Sequence, residues 1–322
     1  MTRVERLLSL LADGAPHSGE ALGEALGVTR AAVWKLVRQL QDTGVPVESV
    51  PGKGYRLQEP VELLDSGAIR AAMGRPTAAM LRDVSVERVV DSTNRRLFES
   101  SRRDALPQAL LAEAQSAGRG RRGRDWHSPF GRNLYLSVAW PFDAVPGGLG
   151  GLSLAVGIAV ADVLSTHRTP GLGLKWPNDL LVDDRKLGGI LVELQGEPAG
   201  PCTAVVGLGL NLFMDDAPAV EQPWTALAEH VISWPGRNVL AGQVLDGIVD
   251  ALSRFGHEGF PGFVDHWPRH DLLAGKRVRL FAGNRTVDGI AAGVDQTGCL
   301  LLERDGRLEP WSAGEVSLRP VQ

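Results

Sequence analysis

Apolar residues at positions 4, 7, 8 and 11 recur with the period of a helix, and Asp13-Gly14 stops the run. Ser18 then caps a short helix containing Ala21, Leu22 and Ala25, and Gly27 makes a tight turn. Thr29 caps a further helix in which Val33, Leu36, Val37 and Leu40 fall at i, i+3, i+4 and i+7 and face inward. Arg30, Ala31, Trp34, Lys35 and Arg38 are left on its outer face. Residues 45–57 read as two short strands joined by the basic turn Pro51-Gly52-Lys53-Gly54, which makes a wing. This pattern predicts a winged helix-turn-helix whose second helix can enter a major groove.

Gln58-Glu59-Pro60 is a plausible linker. Beyond Leu81, strand-like and helix-like runs alternate. Residues 84–90, 109–114 and 134–140 read as strands, and 144–161 as a turn followed by a buried helix closed by Asp162. Leu172–Val182 forms apolar strands around Lys175-Trp176-Pro177-Asn178-Asp179. The turn Asp183–Lys186 leads back into Leu187–Leu194, and 204–211 is a further buried strand. Residues 239–256 and 260–267 look helical. After residue 275 the chain shifts to short strands at 276–281, 289–294, 300–303 and 307–311, with turns at 282–284, 295–298 and 305–306, which suggests a small SH3-like barrel. The fold class is therefore α+β in three parts, residues 1–60, 61–271 and 272–322.

Composition narrows the function. The chain has 322 residues and a net charge of −4, so it is not basic as a whole, and any nucleic-acid contact must be a local patch. Between residues 28 and 56 there is such a patch: five cations (Arg30, Lys35, Arg38, Lys53, Arg56) against Asp42 and Glu48. The domain either binds DNA through Thr29, Arg30, Trp34, Lys35, Arg38 and Lys53 or serves protein contacts only. Trp34 is a groove contact or packs against the wing. The two cysteines form no CxxC pattern, and the N-terminus has no signal-peptide core, which points to the cytoplasm. The most apolar stretch is too short and too interrupted by glycine to span a membrane.

Candidate chemistry centres on Gly118–Pro129, where four arginines alternate with three glycines directly after an apolar strand. Glycine loosens the backbone and the guanidinium groups repel one another, so order is expected only around an anion. The stretch is a flap over an anionic ligand, or else a solvated basic loop or RGG-like tail. Asp91-Ser92-Thr93-Asn94 either caps a helix or meets small polar ligand groups. Lys175 and Lys186 bracket one hairpin and either converge on a phosphate or lie on the surface. Gly188-Gly189 within a strand signals close approach of backbone or ligand.

Together these motifs resemble the bifunctional biotin protein ligases and biotin operon repressors. The resemblance rests on Ser92-Thr93-Asn94, on Gln115 with the Gly118–Arg124 loop, on Trp126, on Lys175–Asp179 and on Arg185–Ile190. Arg30-Ala31-Ala32, Val50–Tyr55, Pro310-Trp311 and Gly314–Arg319 extend it over nearly the full length.

The resemblance implies a central domain of the class II synthetase type. It implies that biotin is activated by ATP with Mg²⁺ to biotinyl-5′-AMP, then moved to a lysine of a biotin carboxyl carrier domain. Lys186, Arg121 and Lys175 are the implied catalytic cations, aimed at charge developing between two anions. Ser92, Thr93, Asn94 and Gln115 would hold the biotin ring and tail, with Arg119, Gly120, Arg121 and Lys186 along its carboxylate. Trp126 and Trp224 would pack about the adenine, and Asn178 and Asn211 would meet the nucleotide or its metal. Asp179 orients a lysine or the metal, and no metal ligand is identified. Biotinyl-AMP would act as corepressor, favouring a homodimer that places two winged helices on operator DNA. The alternatives are a ligase whose winged helix does not bind DNA, a ligand sensor with dead chemistry, and ligation of lipoate.

Overall fold

A computed structural model describes residues 2–102, 106–196, 201–214, 220, 222–282 and 285–313, and the backbone of 316–320. The expected turn residues Gly283 and Asn284 and the motif residues Gly314 and Glu315 lie outside these.

The N-terminal part contains α1 (Arg3–Leu11), α2 (Gly19–Leu26), α3 (Arg30–Asp42) and the hairpin of β1 (Val47–Val50) with β2 (Gly54–Leu57). Ser18 and Thr29 accept from the N–H groups of Ala21 and Ala32, as capping residues do. Gly27 supplies the left-handed turn between α2 and α3 at φ +64°. Leu7, Leu8, Leu11, Leu22, Val33, Val37 and Leu40 form a buried cluster with Val47 and Leu57, which Ala114 and Phe130 of the central part join. The outward residues of α3 named above are all exposed.

Two short helices follow, α4 (Ser66–Ala71) and α5 (Arg75–Met80), which the apolar pattern does not reveal. Each is six residues long and buries one side chain, Ile69 or Thr77, so neither shows a period.

The central part contains β3 (Asp83–Val90), α6 (Thr93–Ser101), β4 (Gln108–Gln115), β5 (Leu134–Phe142), α7 (Leu152–Thr166), β6 (Leu172–Lys175), β7 (Asp179–Val182), β8 (Arg185–Gly196), β9 (Cys202–Leu210) and α8 (Arg237–Glu258). Its seven strands make one sheet in the order β3-β4-β5-β9-β8-β7-β6. Only β3 and β4 run parallel, so the sheet is mixed. Side chains alternate between its faces. Leu134, Leu136, Val138, Val206, Leu208 and Leu210 join α7 and α8 in the large core. Leu110, Ala139 and Val205 meet Leu97 of α6 on the opposite face, and this second face carries the site.

Residues 260–267 do not form the expected α-helix. They form 3₁₀ turns at Phe260–Gly262 and Val264–Arg269, because Pro261 and Pro268 remove donors while Phe260, Phe263 and Trp267 stay buried.

The C-terminal strands are β10 (Arg277–Ala282), β11 (Arg285–Val294), β12 (Leu300–Arg304), β13 (Arg307–Trp311) and β14 (Val316–Pro320). They form an antiparallel sheet in the order β13-β12-β11-β10-β14. Among the described residues no ladder joins β13 to β14, so the SH3-like unit is an open sheet and not a closed barrel. Val278, Leu280, Ala291, Leu300 and Leu302 share the large core of the central part.

The segment after the winged helix is held from both sides. Arg237 and Glu113, both essentially unexposed, pair at 2.9 Å. The same guanidinium donates to Glu62 O at 2.6 Å and Asn133 O at 2.9 Å, while Leu64 N–H donates to Glu113. Val61 and Leu63 pack with Phe130 and Ala114 against the N-terminal core. Among the described residues no helix is long and apolar enough to cross a membrane.

Candidate active site

Strands β8 and β9 present Gly189, Gly207 and Gly209 on the face away from α7 and α8. These positions form a floor without side chains. A Cβ on Gly209 would lie 2.4 Å from the Trp126 ring, and one on Gly207 would lie 2.2 Å from Asn94 Oδ1. A Cβ on Gly189 would meet both Trp126 and Lys186 at 3.4 Å. The Trp126 indole therefore rests on bare backbone, and its buried Nε1–H has no hydrogen-bond partner.

At one end of this floor is a polar network. Ser92 stands at the N-cap of α6, but its side chain makes no capping bond. Thr93 and Asn94 turn toward the sheet instead. Thr93 donates through N and Oγ1 to Gln115 Oε1, at 2.9 and 3.2 Å. Gln115 Nε2 donates to Ser128 Oγ at 3.1 Å. Ser137 Oγ lies 2.7 Å from both Thr93 Oγ1 and Asn94 Oδ1. Asn94 Nδ2 donates to Glu193 at 2.9 Å and to Leu191 O at 3.3 Å. Plain capping does not account for this arrangement.

At the other end lie the cations. The β6–β7 turn pairs Lys175 with Asp179 in register, and the Trp176-Pro177 bond within it is cis. Asp183 and Asp184, both at positive φ, reverse the chain into β8, as a two-residue hairpin requires. Lys186 thus returns beside Asp179, with Nζ 2.7 Å from one carboxylate oxygen, while Lys175 Nζ lies 3.3 Å from the other. The Asp179 side chain is 13% exposed. Burial works to raise its pKa, but the Lys186 and Lys175 ammonium groups outweigh it and hold the carboxyl below its usual range. Lys186 also lies over the Trp126 ring, 5.4 Å from its centroid. Its backbone is fastened by Lys186 N–H to Pro223 O at 2.9 Å and by Thr225 N–H to Lys186 O at 3.0 Å.

The Gly/Arg loop follows a path set by backbone hydrogen bonds. Gly120 N–H donates to Arg124 O and Trp126 N–H to Gly118 O, at 2.7 and 2.9 Å. The loop's four arginines are placed differently. Arg119, Arg122 and Arg124 are exposed, whereas Arg121 turns inward. Arg121 donates to Asn178 Oδ1 at 3.2 Å and also to Ala313 O of the C-terminal part. Burial, and then the neighbouring Arg122, lower its pKa. Asn178 in turn donates to Ile190 O at 2.8 Å. Trp176 Nε1 reaches Gly298 O at 3.1 Å, so the C-terminal sheet supports both the loop and the lysine turn.

The structure thus brings together Ser92, Thr93, Asn94, Gln115, Gly120, Arg121, Trp126, Lys175, Asn178 and Lys186. Arg119 stays outside the network, its backbone bridged to Asp125. The buried Asn211 amide donates to Thr225 O and Lys186 O at 3.1 and 3.4 Å, a scaffold position. Trp224 is half-buried beside Met214 and Ala226. Thr29, Arg30, Trp34, Lys35, Arg38 and Lys53 form a separate exposed surface on the winged helix. Sequence reasoning missed Gly207, Gly209, Ser128, Ser137, Glu193 and Thr225. Gly207-Leu208-Gly209 inside an apolar strand carried the same close-approach signal as Gly188-Gly189.

Comparison with known proteins adds three domain matches. Residues 86–211 match the biotin/lipoate A/B protein ligase family, 3–56 an HTH domain and 274–319 the biotin protein ligase C-terminal domain. The chain is 43% identical over 318 residues to the bifunctional ligase/repressor BirA of Salmonella typhimurium, covering 98% of this chain and 97% of that one. It is also 43% identical to the Escherichia coli protein of that name, with the same coverage. A biotin protein ligase from Aquifex aeolicus, solved with biotin and ATP, superposes with a TM-score of 0.64 at 29% identity. That match spans 75% of this chain and all of the other.

Proposed function

The chain belongs to the bifunctional biotin protein ligases, and on that premise we propose how its own residues activate biotin, transfer it and govern DNA binding. The three parts, residues 1–60, 61–271 and 272–322, divide this work. In the first reaction a biotin carboxylate oxygen attacks the α-phosphorus of ATP. A C–O–P linkage forms, the α–β phosphoanhydride bond breaks, and pyrophosphate leaves with the electron pair. In the second, an uncharged lysine amine of a biotin carboxyl carrier domain attacks the acyl carbon. An amide forms, AMP leaves and the amine gives up a proton.

The flat ureido ring lies on the floor of Gly189, Gly207 and Gly209, where backbone can be approached closely. Ser92, Thr93, Asn94 and Gln115 offer donors and acceptors to its edge and tail. Trp126, which the resemblance sets about the adenine, also lies over this floor. Ligand entry lifts the indole, which then covers the ring. Lys186 meets the carboxylate and the α-phosphate. Lys175 and Arg121 meet the phosphates, and Gly120 and Arg119 border the carboxylate once the loop has closed. Trp224, Asn178 and Asn211 frame the nucleotide.

Two anions must approach each other for the first bond to form. The arrangement that carries this reading is Lys175–Asp179–Lys186 beside the glycine floor. One carboxylate fixes two ammonium groups in advance, so little reorganisation remains when charge develops. Asp179 therefore orients lysines. Among the described residues no group of three His, Cys, Asp or Glu can hold a metal. Magnesium enters as part of the MgATP substrate.

Biotinyl-AMP acts as corepressor: it favours a homodimer, which sets two copies of α3 on a two-fold operator. This work is done in the cytoplasm, where Cys202 and Cys299 stay reduced. Purified protein given biotin and MgATP should release pyrophosphate and accumulate biotinyl-AMP. No pyrophosphate release would overturn the ligase reading. A gel shift that biotin and ATP fail to strengthen would overturn the corepressor reading alone.

A further inference from the structure

Trp34 is the largest exposed apolar side chain of the N-terminal part. It stands on the outer face of α3 at 51% exposure, outside that part's apolar core. The contact recorded for its ring is Arg38, one helical turn on, whose guanidinium carbon lies 5.5 Å from the ring centroid. Arg30, Lys35 and Arg38 are exposed on the same helix, and Lys53 is exposed at the tip of the wing. Of the acidic side chains of this unit, Glu20 and Glu24 are on α2, Asp42 ends α3, and Glu48 is bound to Arg56 at 3.2 Å. The outer face of α3 thus carries cations and one flat aromatic surface.

We propose that Trp34 and Arg38 act as one reading unit that selects a guanine with a thymine on a neighbouring base pair of the operator. This rests on the reading of the winged helix as DNA-binding. The cation–π contact keeps the guanidinium beside the indole before any partner arrives, so the two groups act together. In a major groove the guanidinium edge matches the N7 and O6 acceptors of guanine in a bidentate pair. An indole has one donor and a broad apolar surface, and the apolar group a major groove offers is the 5-methyl of thymine. Base pairs rise about 3.4 Å along a strand. The 5.5 Å between guanidinium and ring is comparable to that rise, so the pair can reach neighbouring base pairs together. The rest of the patch, Arg30, Lys35 and Lys53, supplies phosphate contacts that carry no sequence information.

The test is selection from a random duplex DNA library by the full-length protein loaded with biotin and MgATP. Trp34→Ala, Trp34→Phe, Arg38→Ala and Arg38→Lys are run in parallel, each first checked for an unchanged melting temperature. The wild type should enrich a half-site containing guanine next to thymine. Arg38→Ala should lose the guanine preference by roughly tenfold or more against the other bases, and Arg38→Lys, which keeps the charge but not the planar fork, should lose part of it. Trp34→Ala should keep the guanine and lose the thymine, and Trp34→Phe should keep both. Replacing that thymine with deoxyuridine, which removes only the methyl, should weaken the wild type roughly three- to fivefold and leave Trp34→Ala unmoved. If the wild type enriches no sequence, the DNA-binding reading itself fails. If it enriches a motif that lacks such a step, or that all four variants bind with the same preferences and uniformly lower affinity, the pair only touches phosphates and this inference is overturned while DNA binding stands.

Discussion

Lys186 Nζ lies 2.7 Å from Asp179 Oδ1, and the second oxygen of the same carboxylate takes Lys175 at 3.3 Å. One buried anion therefore holds two cations that sequence distance keeps apart, and it does so at the rim of a surface with no side chains. Each ammonium has three N–H donors. One points to Asp179, which leaves donors for the anions of the reaction.

Lys186→Ala should lower the rate of biotinyl-AMP formation by roughly a hundred- to a thousandfold, the usual cost of removing one group aimed at developing charge. The fold should stay intact, because Lys175 still pairs with Asp179 and the strand is held through the backbone to Pro223 and Thr225. Pyrophosphate release under single-turnover conditions measures the first quantity. An unchanged rate would remove Lys186 from the mechanism.

The Asp179 carboxyl titrates below its ordinary value of 3.8, since the two lysines outweigh the effect of burial. A group depressed in the folded state contributes stability that is fully present above the unfolded pKa and is lost as pH falls through the folded one. The melting temperature of the wild type minus that of Asp179→Asn should therefore be flat from about pH 8 to pH 5 and shrink below about pH 4. A difference that widened on acidification would mean the carboxylate is not held by its lysines.

Gly207→Ala should weaken biotin binding by roughly ten- to a hundredfold, because the new methyl would lie 2.2 Å from Asn94 Oδ1 and force it off Ser137. The Michaelis constant for ATP, measured at saturating biotin, should move far less. Calorimetric titration with biotin alone decides it. Equal losses for both substrates would show that the floor serves folding and not the ring.

Arg237→Met should cost about 3–5 kcal/mol in urea unfolding, because it removes the buried partner of Glu113, leaving that carboxylate only Arg88 at 3.4 Å and Leu64 N–H. Adding Glu113→Gln should restore part of that loss, so the two changes should not be additive. Additive losses would mean the pair carries no coupling.

The winged helix was legible almost residue by residue. Ser18, Gly27 and Thr29 act locally, and Val33, Val37 and Leu40 announce the buried side of α3 by spacing alone. The same holds for the strands around Leu134 and Val206, whose apolar runs are long. The six-residue helices α4 and α5 were illegible because a helix with one buried side chain has no period to read. The stretch 260–267 kept its apolar spacing, but two prolines forced the tighter turn. At the site, cations and amides were visible as residue types, whereas the sharing of Asp179 by two lysines depends on β7 and β8 lying side by side. Ser137 was hidden as one polar position in an apolar strand. Arg121 could not be told from Arg119 by sequence, since which guanidinium turns inward is decided by Asn178 and a carbonyl of the C-terminal sheet.

The clamp on the segment that follows the winged helix has a consequence for biosynthesis. Glu62 and Arg237 are 175 residues apart in the chain. At an elongation rate of about 5–20 residues per second, the ribosome takes roughly 10 to 35 s to make the second after the first. During that interval the nascent winged helix can already close its own core, yet the arginine that fastens its tether does not exist. Any influence of the ligase on the nascent DNA-binding unit through this tether must therefore wait until about three quarters of the polypeptide has been made.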